Sequence, residues 1–409
     1  MVRGRITTRT VARRATPNAS TLCLAVAALL YLGAATTSVR AEQDATTPPT
    51  SLDNALPSRA SGQDIFRAAC ATCHGADGAG SRPNVVGFNL PLPNGHDFPD
   101  FNDCPTNTVE PMADWVAVAS RGGPVRGLDR HMPAFGDALS AEQLESVVAY
   151  LKSMCTDKAW PAGDLNFPRA FFTEKAFPEN ETVWTTGVTG SGSKEVSNEL
   201  VYEHRIGARG QYEVKVPFNL QQGAAGSGGT APWSRGIGDV EVAVRRTFYA
   251  NVDRGSIFAA GGAVVFPTGK ETAGLGNGFT VYEPFAMFGQ VLGKNGFLQV
   301  HTGYEVPSDH AVAVNEGFVR TALGYTVAQD QGFGRAWSPM AEVLVAKPSG
   351  GATEWDLVPQ MQVSLSKLQH VLVSVGVRVP LNERQERKPE LLTYLLWDWF
   401  DGGIFQFWK

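Results

Sequence analysis

From about residue 181 onward the chain repeats with a period of two, which no helix can carry. Tyr212, Val214, Val216 and Phe218 alternate with Gln211, Glu213 and Lys215, and Val240, Val242 and Val244 alternate with Glu241, Ala243 and Arg245. The same pattern sets Met361, Val363 and Leu365 against Gln362, Ser364 and Ser366, and Val371 to Val379 against Ser374, Gly376 and Arg378. Successive strand residues point to opposite faces, so each segment reads as a strand with one apolar and one polar side. Gly, Asn, Asp and Pro turns separate the segments, and about twelve strands fit between residues 181 and 409. Such regularity predicts an all-β antiparallel up-and-down barrel. A soluble β-sandwich writes the same alternation, so period alone leaves both open.

The first 41 residues are of another kind. Six arginines (3, 5, 9, 13, 14 and 40) stand there without an acidic residue, and an apolar run from Leu22 to Ala35 ends near Val39-Arg40-Ala41. This predicts a signal peptide cleaved after Ala41, with an uncleaved anchor as the alternative. Arg13-Arg14 is followed by Ala15-Thr16-Pro17, so general secretion is favoured over a twin-arginine route. The whole chain carries 35 basic and 40 acidic residues, a formal net charge of −5. No basic patch marks a nucleic-acid partner. Export implies an oxidising compartment.

Four cysteines follow the signal: Cys70, Cys73, Cys104 and Cys155. Cys70-Ala71-Thr72-Cys73-His74 is a C-x-x-C-H run, in which two thiols add across haem vinyl groups and the adjacent imidazole ligates iron. One helical turn sets both sulfurs along one edge of the macrocycle and aims the next residue at the metal. One covalent haem c is therefore expected. A redox or zinc C-x-x-C is the competing reading.

Helical signals flank this motif. Ser61 is placed to cap a helix carrying Gly62, Ile65 and Phe66. Ser140-Ala141-Glu142-Gln143 is a capping box before Leu144, Val147, Val148 and Leu151. With Tyr150 on the later helix, the region resembles the class I c-type cytochromes, an all-α family whose first and last helices cross by seating an aromatic against a small residue. Gly62, Phe66 and Tyr150 match those positions. The resemblance implies a sixth iron ligand from the loop before the last helix, where Met132 stands in His131-Met132-Pro133. His131 is the runner-up, with Met112 and His96 as further alternatives. It also implies that the Pro83 carbonyl supports His74. Arg126 and Arg130, with Arg121, lie on the approach to Met132 and are candidates for the haem propionates, or else solvated loop cations.

Cys104 and Cys155 belong to no motif, and an oxidising compartment predicts a disulfide between them, a reactive thiol pair being the alternative. The domain boundaries follow: signal peptide 1–41, flexible leader 42–60, cytochrome domain 61–156, linker 157–180 read as a tether packed between domains, and barrel 181–409. In the barrel, Gly236-Ile237-Gly238-Asp239-Val240, Phe266-Pro267-Thr268-Gly269 and Gly274-Leu275-Gly276-Asn277-Gly278 resemble the phenol-degradation-pathway family of outer-membrane transport proteins. That implies a membrane barrel rather than any chemistry. Trp337, Trp355, Tyr394, Trp397, Trp399 and Trp408 are candidates for an interfacial girdle, although the chain ends Phe407-Trp408-Lys409 instead of on an aromatic residue. His204, His301 and His370 read as isolated strand-face histidines, and no Ser-His-Asp, paired-carboxylate or phosphate-loop pattern stands in this half.

The expectation is an exported monohaem electron carrier and not an enzyme. Its haem would serve periplasmic redox proteins, and its barrel would sit in the outer membrane of a Gram-negative cell. The alternative is a porin-like transporter of small hydrophobic compounds whose haem domain is a redox sensor or accessory.

Overall fold

The computed structural model describes residues 59–80, 98–190, 195–222, 233–328, 336–385 and 387–398. The signal peptide, most of the leader, Pro83, His96, Trp399 and Trp408 lie outside them.

The haem-motif region is a small helical bundle. Helix α1 runs from Gly62 to His74: an α segment Gly62–Ile65, a π turn Phe66–Cys70 and an α segment Ala71–His74. Then come α2 (Cys104–Val109), α3 (Met112–Arg121), a 3-10 turn Gly123–Arg126, and α4 (Ala141–Ser153). Capping boxes open the first and last helices: Ser61 and Asp64 exchange side-chain and backbone bonds, and so do Ser140 and Gln143. The two helices cross where Gly62 lies against Ser146, so close that a Cβ would stand 2.1 Å from the Ser146 carbonyl oxygen. Phe66 fills the space beside this contact, its ring 5.6 Å from that of Tyr150. Ile65, Phe66, Phe101, Leu144, Val147 and Val148 form the core. A disulfide joins Cys104 at the start of α2 to Cys155 just beyond α4, across a sequence separation of 51.

The second body is a closed antiparallel barrel. Its segments are β1 (Glu181–Thr189), β2 (Glu195–Ile206), β3 (Gly210–Gln222), β4 (Trp233–Ile237), β5 (Val240–Asn251), β6 (Ser256–Phe266) and β7 (Val281–Leu292). They continue with β8 (Gly296–Pro307), β9 (Glu316–Tyr325), β10 (Val327–Ala328), β11 (Ala336–Pro348), β12 (Glu354–Ser364), β13 (Val371–Pro380) and β14 (Glu390–Asp398). Both β4 and β5 pair with β3, and both β9 and β10 with β11, so each couple makes one stave and the described segments form twelve. Neighbours in sequence are neighbours in the sheet, and β1 pairs with β14 from Glu181↔Asp398 to Thr189↔Glu390, which closes the ring. No edge strand is left exposed. At one mouth the connections are short (207–209, 252–255, 293–295); at the other they include 267–280 and 308–315.

The radial distribution of side chains decides between barrel and sandwich. Glu203, Glu213, Lys215, Arg245, Glu283, Arg320 and Glu342 are buried and face inward, while Val244, Leu323, Val375 and Leu391 are each about half exposed and face outward. A soluble sandwich would bury the second set and wet the first; the reverse is what a hydrocarbon solvent selects. Exposed aromatics gather near both mouths: Trp233, Phe266, Tyr282, Tyr304 and Trp355 at the long-connection mouth, Phe248, Phe258, Phe288 and Tyr325 at the other. Of the residues the sequence offered for a girdle, Trp355 is there. Tyr394 is instead 2% exposed and points inward, its hydroxyl donating to the Arg169 carbonyl at 2.6 Å.

What fills the interior is the stretch the sequence presented as a tether. Residues 163–180 leave the helical bundle at the short-turn mouth, enter the barrel as a finger, and return to the same mouth to begin β1. Leu165, Phe167, Ala176 and Phe177 pack there with Ile257, Phe285, Met287, Phe297 and Met340. Phe167 stacks on Phe297 at 5.8 Å and Phe171 meets the edge of Tyr394 at 5.1 Å. Several polar backbone groups of the finger pair with side chains of the barrel wall. Glu342 accepts from the N–H groups of Phe171, Phe172 and Thr173, Gln299 donates to the Pro168 carbonyl, and Thr247 donates to that of Ala176. Arg169 bridges Glu181 and Glu203, each at 2.5 Å, Lys175 pairs with Glu179 and Glu181, and Glu174 pairs with Lys215. Buried charges persist only when so matched.

Candidate functional site

The C-x-x-C-H run falls on the last turns of α1, as the helical spacing requires. Cys70 and Cys73 are free thiols, half-buried, and one turn apart. Burial pushes the Cys70 thiol up to about 11, with the Cys73 thiol adding to the rise, so the thiol stays protonated at neutral pH. Burial alone lowers the His74 imidazole to about 4. That ring is therefore neutral, the state in which a nitrogen lone pair is available to iron. It packs 4.9 Å from Phe101 and 5.7 Å from Phe98, and Phe101 in turn leans on Trp115 of α3. Its Nδ1 is buried without a partner among the described residues. Pro83, offered by the resemblance as the group behind His74, lies outside them.

The loop after the 3-10 turn carries Met132, the expected sixth ligand. Gly122 and Gly123 have the Met132 backbone folded directly over them: Gly123 N–H donates to the Met132 carbonyl at 3.0 Å, and a Cβ on Gly122 would stand 2.9 Å from the same oxygen. With a φ of 83° at Gly122, only glycine takes this turn without strain. Met132 is half-buried. His131, its competitor, has its Nδ1 2.7 Å from Asp129 Oδ1. Met112 heads α3 and packs against the bundle core.

The three arginines separate. Arg121 and Arg130 are exposed, while Arg126 is 4% exposed and gives Nη2 to Asp114 Oδ1 at 2.5 Å. Its Nε and Nη1 are buried and have no partner among the described residues. Two buried guanidinium donors without a partner among the described residues suit a carboxylate such as a haem propionate. Free thiols, a neutral buried imidazole and an under-used arginine together fit a covalent haem.

Other groups around the site were not legible in the sequence. Asp114 is one of them: burial and the neighbouring Glu110 raise its carboxyl, while Arg126 and His370 lower it, with a rise as the net. His370 itself is not on a strand face. It closes the 365–370 turn, 6% exposed, with Nε2 3.0 Å from Glu110 Oε1 of the helical bundle. Arg209, on the 207–209 turn, likewise donates to the Ala159 carbonyl at 2.7 Å, and Arg205 lies over the Trp160 ring. The helical bundle is thus seated on the short-turn mouth. Among the described residues no group of His, Cys, Asp and Glu forms a separate metal site.

Residues 57–151 match the family described as cytochrome C oxidase, cbb3-type, subunit III. Among curated proteins, the cbb3-type cytochrome c oxidase subunit FixP of Sinorhizobium medicae is 31% identical over 107 residues, which is 24% of this chain and 31% of that protein. FixP of Bradyrhizobium diazoefficiens is 27% identical over 176 residues, 41% of this chain and 52% of that protein. The chain thus spans about a third to a half of the relatives it matches. Among solved structures, an outer membrane channel from Pseudomonas putida F1 aligns with 56% of this chain and 99% of its own, at 14% identity and TM-score 0.40. The KdgM porin aligns with 54% of this chain and 99% of its own, at 9% identity and TM-score 0.36. The region that matches this family, residues 57–151, is cytochrome-like and is followed in one chain by a closed twelve-stranded barrel, and the match implies covalently bound haem c.

Proposed function

We propose that this chain is an exported c-type cytochrome fixed to an outer-membrane barrel, carrying one haem c and passing single electrons to and from periplasmic redox proteins. The observation that carries the reading is the C-x-x-C-H run on α1, with free thiols and a buried imidazole held neutral by its surroundings. When bound, haem supplies one-electron iron chemistry. The chain's residues do the rest. Cys70 and Cys73 would tether the macrocycle, His74 and Met132 would ligate its iron, and Arg126 would receive a propionate. Pro83 is assigned to orient His74, and Arg130 to the exposed rim. A soft thioether opposite an imidazole favours the ferrous state and so a higher potential than two imidazoles would give. With His74 and Met132 both as iron ligands, the haem would carry single electrons without binding a substrate, and no catalytic step is assigned.

The outward apolar surface with aromatics near both mouths supports a membrane setting. Short turns face the periplasm in such barrels, and the helical bundle sits on the short-turn mouth, which supports a periplasmic haem. The oxidase subunits are matched only in part, so their assembly is not carried over.

A second reading is a transport barrel for small hydrophobic compounds, with the haem domain as redox sensor at its mouth. This is also what the resemblance to phenol-degradation-pathway proteins suggests.

The test is a haem-stained denaturing gel of carbonate-washed membrane fractions from a host with cytochrome c maturation. A full-length stained band in the outer membrane is expected. A stained band confined to soluble periplasm overturns the anchor, and no stain overturns the haem. Solute uptake that tracks the redox state of the haem would favour the second reading.

A further inference from the structure

The 365–370 turn of the barrel reaches the helical bundle at Glu110, with His370 Nε2 3.0 Å from its Oε1. Its shape is fixed locally: Ser366 Oγ accepts the N–H groups of His370 and Val371, and the His370 carbonyl accepts the Asp398 N–H at 2.8 Å. This presents the His370 imidazole to Glu110, which caps the C-terminal end of α2. Glu110 is held from the bundle side as well, its carbonyl accepting Lys152 Nζ at 2.8 Å. Asp114, in the first turn of α3, feels both Glu110 and His370 and clamps Arg126. His370, Glu110, Asp114 and Arg126 therefore form one charged row, two acids between two bases, running from the barrel to a guanidinium whose remaining donors have no partner among the described residues. The other charged groups facing the turn are Asp398, whose main chain bonds the His370 carbonyl and whose carboxyl interacts with the His370 ring, and Lys367, whose side chain lies against Gly127 just beyond Arg126.

We propose that His370 is a positioning residue for the haem: its charge, passed through Glu110 and Asp114 to Arg126, sets the haem potential and makes it fall as pH rises. The inference rests on the reading of the chain as a haem-bearing cytochrome. An imidazolium near the haem favours the added electron, so reduction by an external one-electron donor draws up to one proton from solvent onto His370. Deprotonation removes that help and favours the ferric form.

The test is potentiometric titration of the haem-loaded full chain in detergent micelles between pH 5.5 and 8.5. In the wild type the equilibrium constant for haem reduction is expected to fall by up to about tenfold across that range, about 59 mV for one electron. His370→Gln keeps a donor for Glu110 but carries no charge. It should flatten the pH dependence while leaving the visible spectrum and the protease-resistant fragments unchanged. Glu110→Gln, which breaks the row one step nearer the haem, should flatten it as well. A role in docking alone would move the potential equally at every pH. A wild-type potential independent of pH, or a slope retained in His370→Gln, overturns the inference and leaves the cytochrome reading intact. Absence of covalent haem overturns both.

Discussion

The backbone N–H of Met112 donates to Asp164 Oδ1 at 3.1 Å, across the point where the chain leaves the helical bundle and enters the barrel. Met112 is the first residue of α3, whose preceding Pro111 has no side chain to cap it. A carboxylate from the root of the finger thus satisfies a donor that the helix cannot. Asp164→Ala should destabilise this junction by about 1 kcal/mol, the usual worth of a cap. Faster amide hydrogen exchange in the first turn of α3, with barrel strands unchanged, would register it.

Glu342 presents both carboxylate oxygens to three successive N–H groups of the finger and also accepts Gln360 Nε2 at 2.6 Å. Glu342→Leu strands those donors in a closed interior, at a cost of roughly 1–3 kcal/mol for each group left unpaired. Trypsin cleavage at Arg169 and Lys175 in detergent-solubilised protein should become faster than in the wild type. Equal rates would mean that the apolar packing of Phe167 and Phe177 holds the finger without it.

At Gly62 even one methyl group meets backbone. Gly62→Ala places a carbon 2.1 Å from the Ser146 carbonyl oxygen, which only a separation of α1 from α4 can relieve. Overpacking of this kind costs about 1–3 kcal/mol. The thermal transition of the haem domain should drop by several degrees, while the barrel keeps its heat-resistant mobility on unboiled gels.

Replacing Cys104 and Cys155 together with Ser opens a loop of 51 residues. Chain-entropy arithmetic puts the loss at roughly 4 kcal/mol. Denaturant unfolding followed through the haem absorbance should show the midpoint fall, and reductant should bring the wild type to the same value.

Met132→Ala should leave covalent haem in place, lower the potential, and let added imidazole bind at the vacated position. His131→Ala should do none of these. Optical titration with imidazole separates the two, and the reverse pattern would make His131 the ligand.

Much of this was legible because it is written locally. The C-x-x-C-H run, the two capping boxes and the Gly62, Phe66 and Tyr150 crossing depend on residues a few positions apart or on a close-packed pair whose sizes betray it. The strand alternation gave an antiparallel barrel of about twelve strands for the same reason, since a strand face is read from neighbours two apart. Period could not say which face was wet. That followed only once Glu203, Arg245 and Glu342 were placed inside and Val244 and Leu391 outside. The finger escaped because its logic is nonlocal: Arg169, Lys175 and Glu174 look like an ordinary polar linker until Glu203, Glu181 and Lys215 surround them. His370 escaped likewise, its partner Glu110 being 260 residues away.

Residues 163–180 enter and leave through one mouth, and both of their flanks are anchored there, by Gly163 against the Val109 carbonyl and by Glu181 in the ring of strands. A loop with that path is topologically unlinked from the ring it fills. It can be withdrawn and reinserted without threading a chain end or unzipping any of the twelve staves. The barrier to emptying the interior is then set by the finger's packing and polar pairing with the wall and not by the ring of strands.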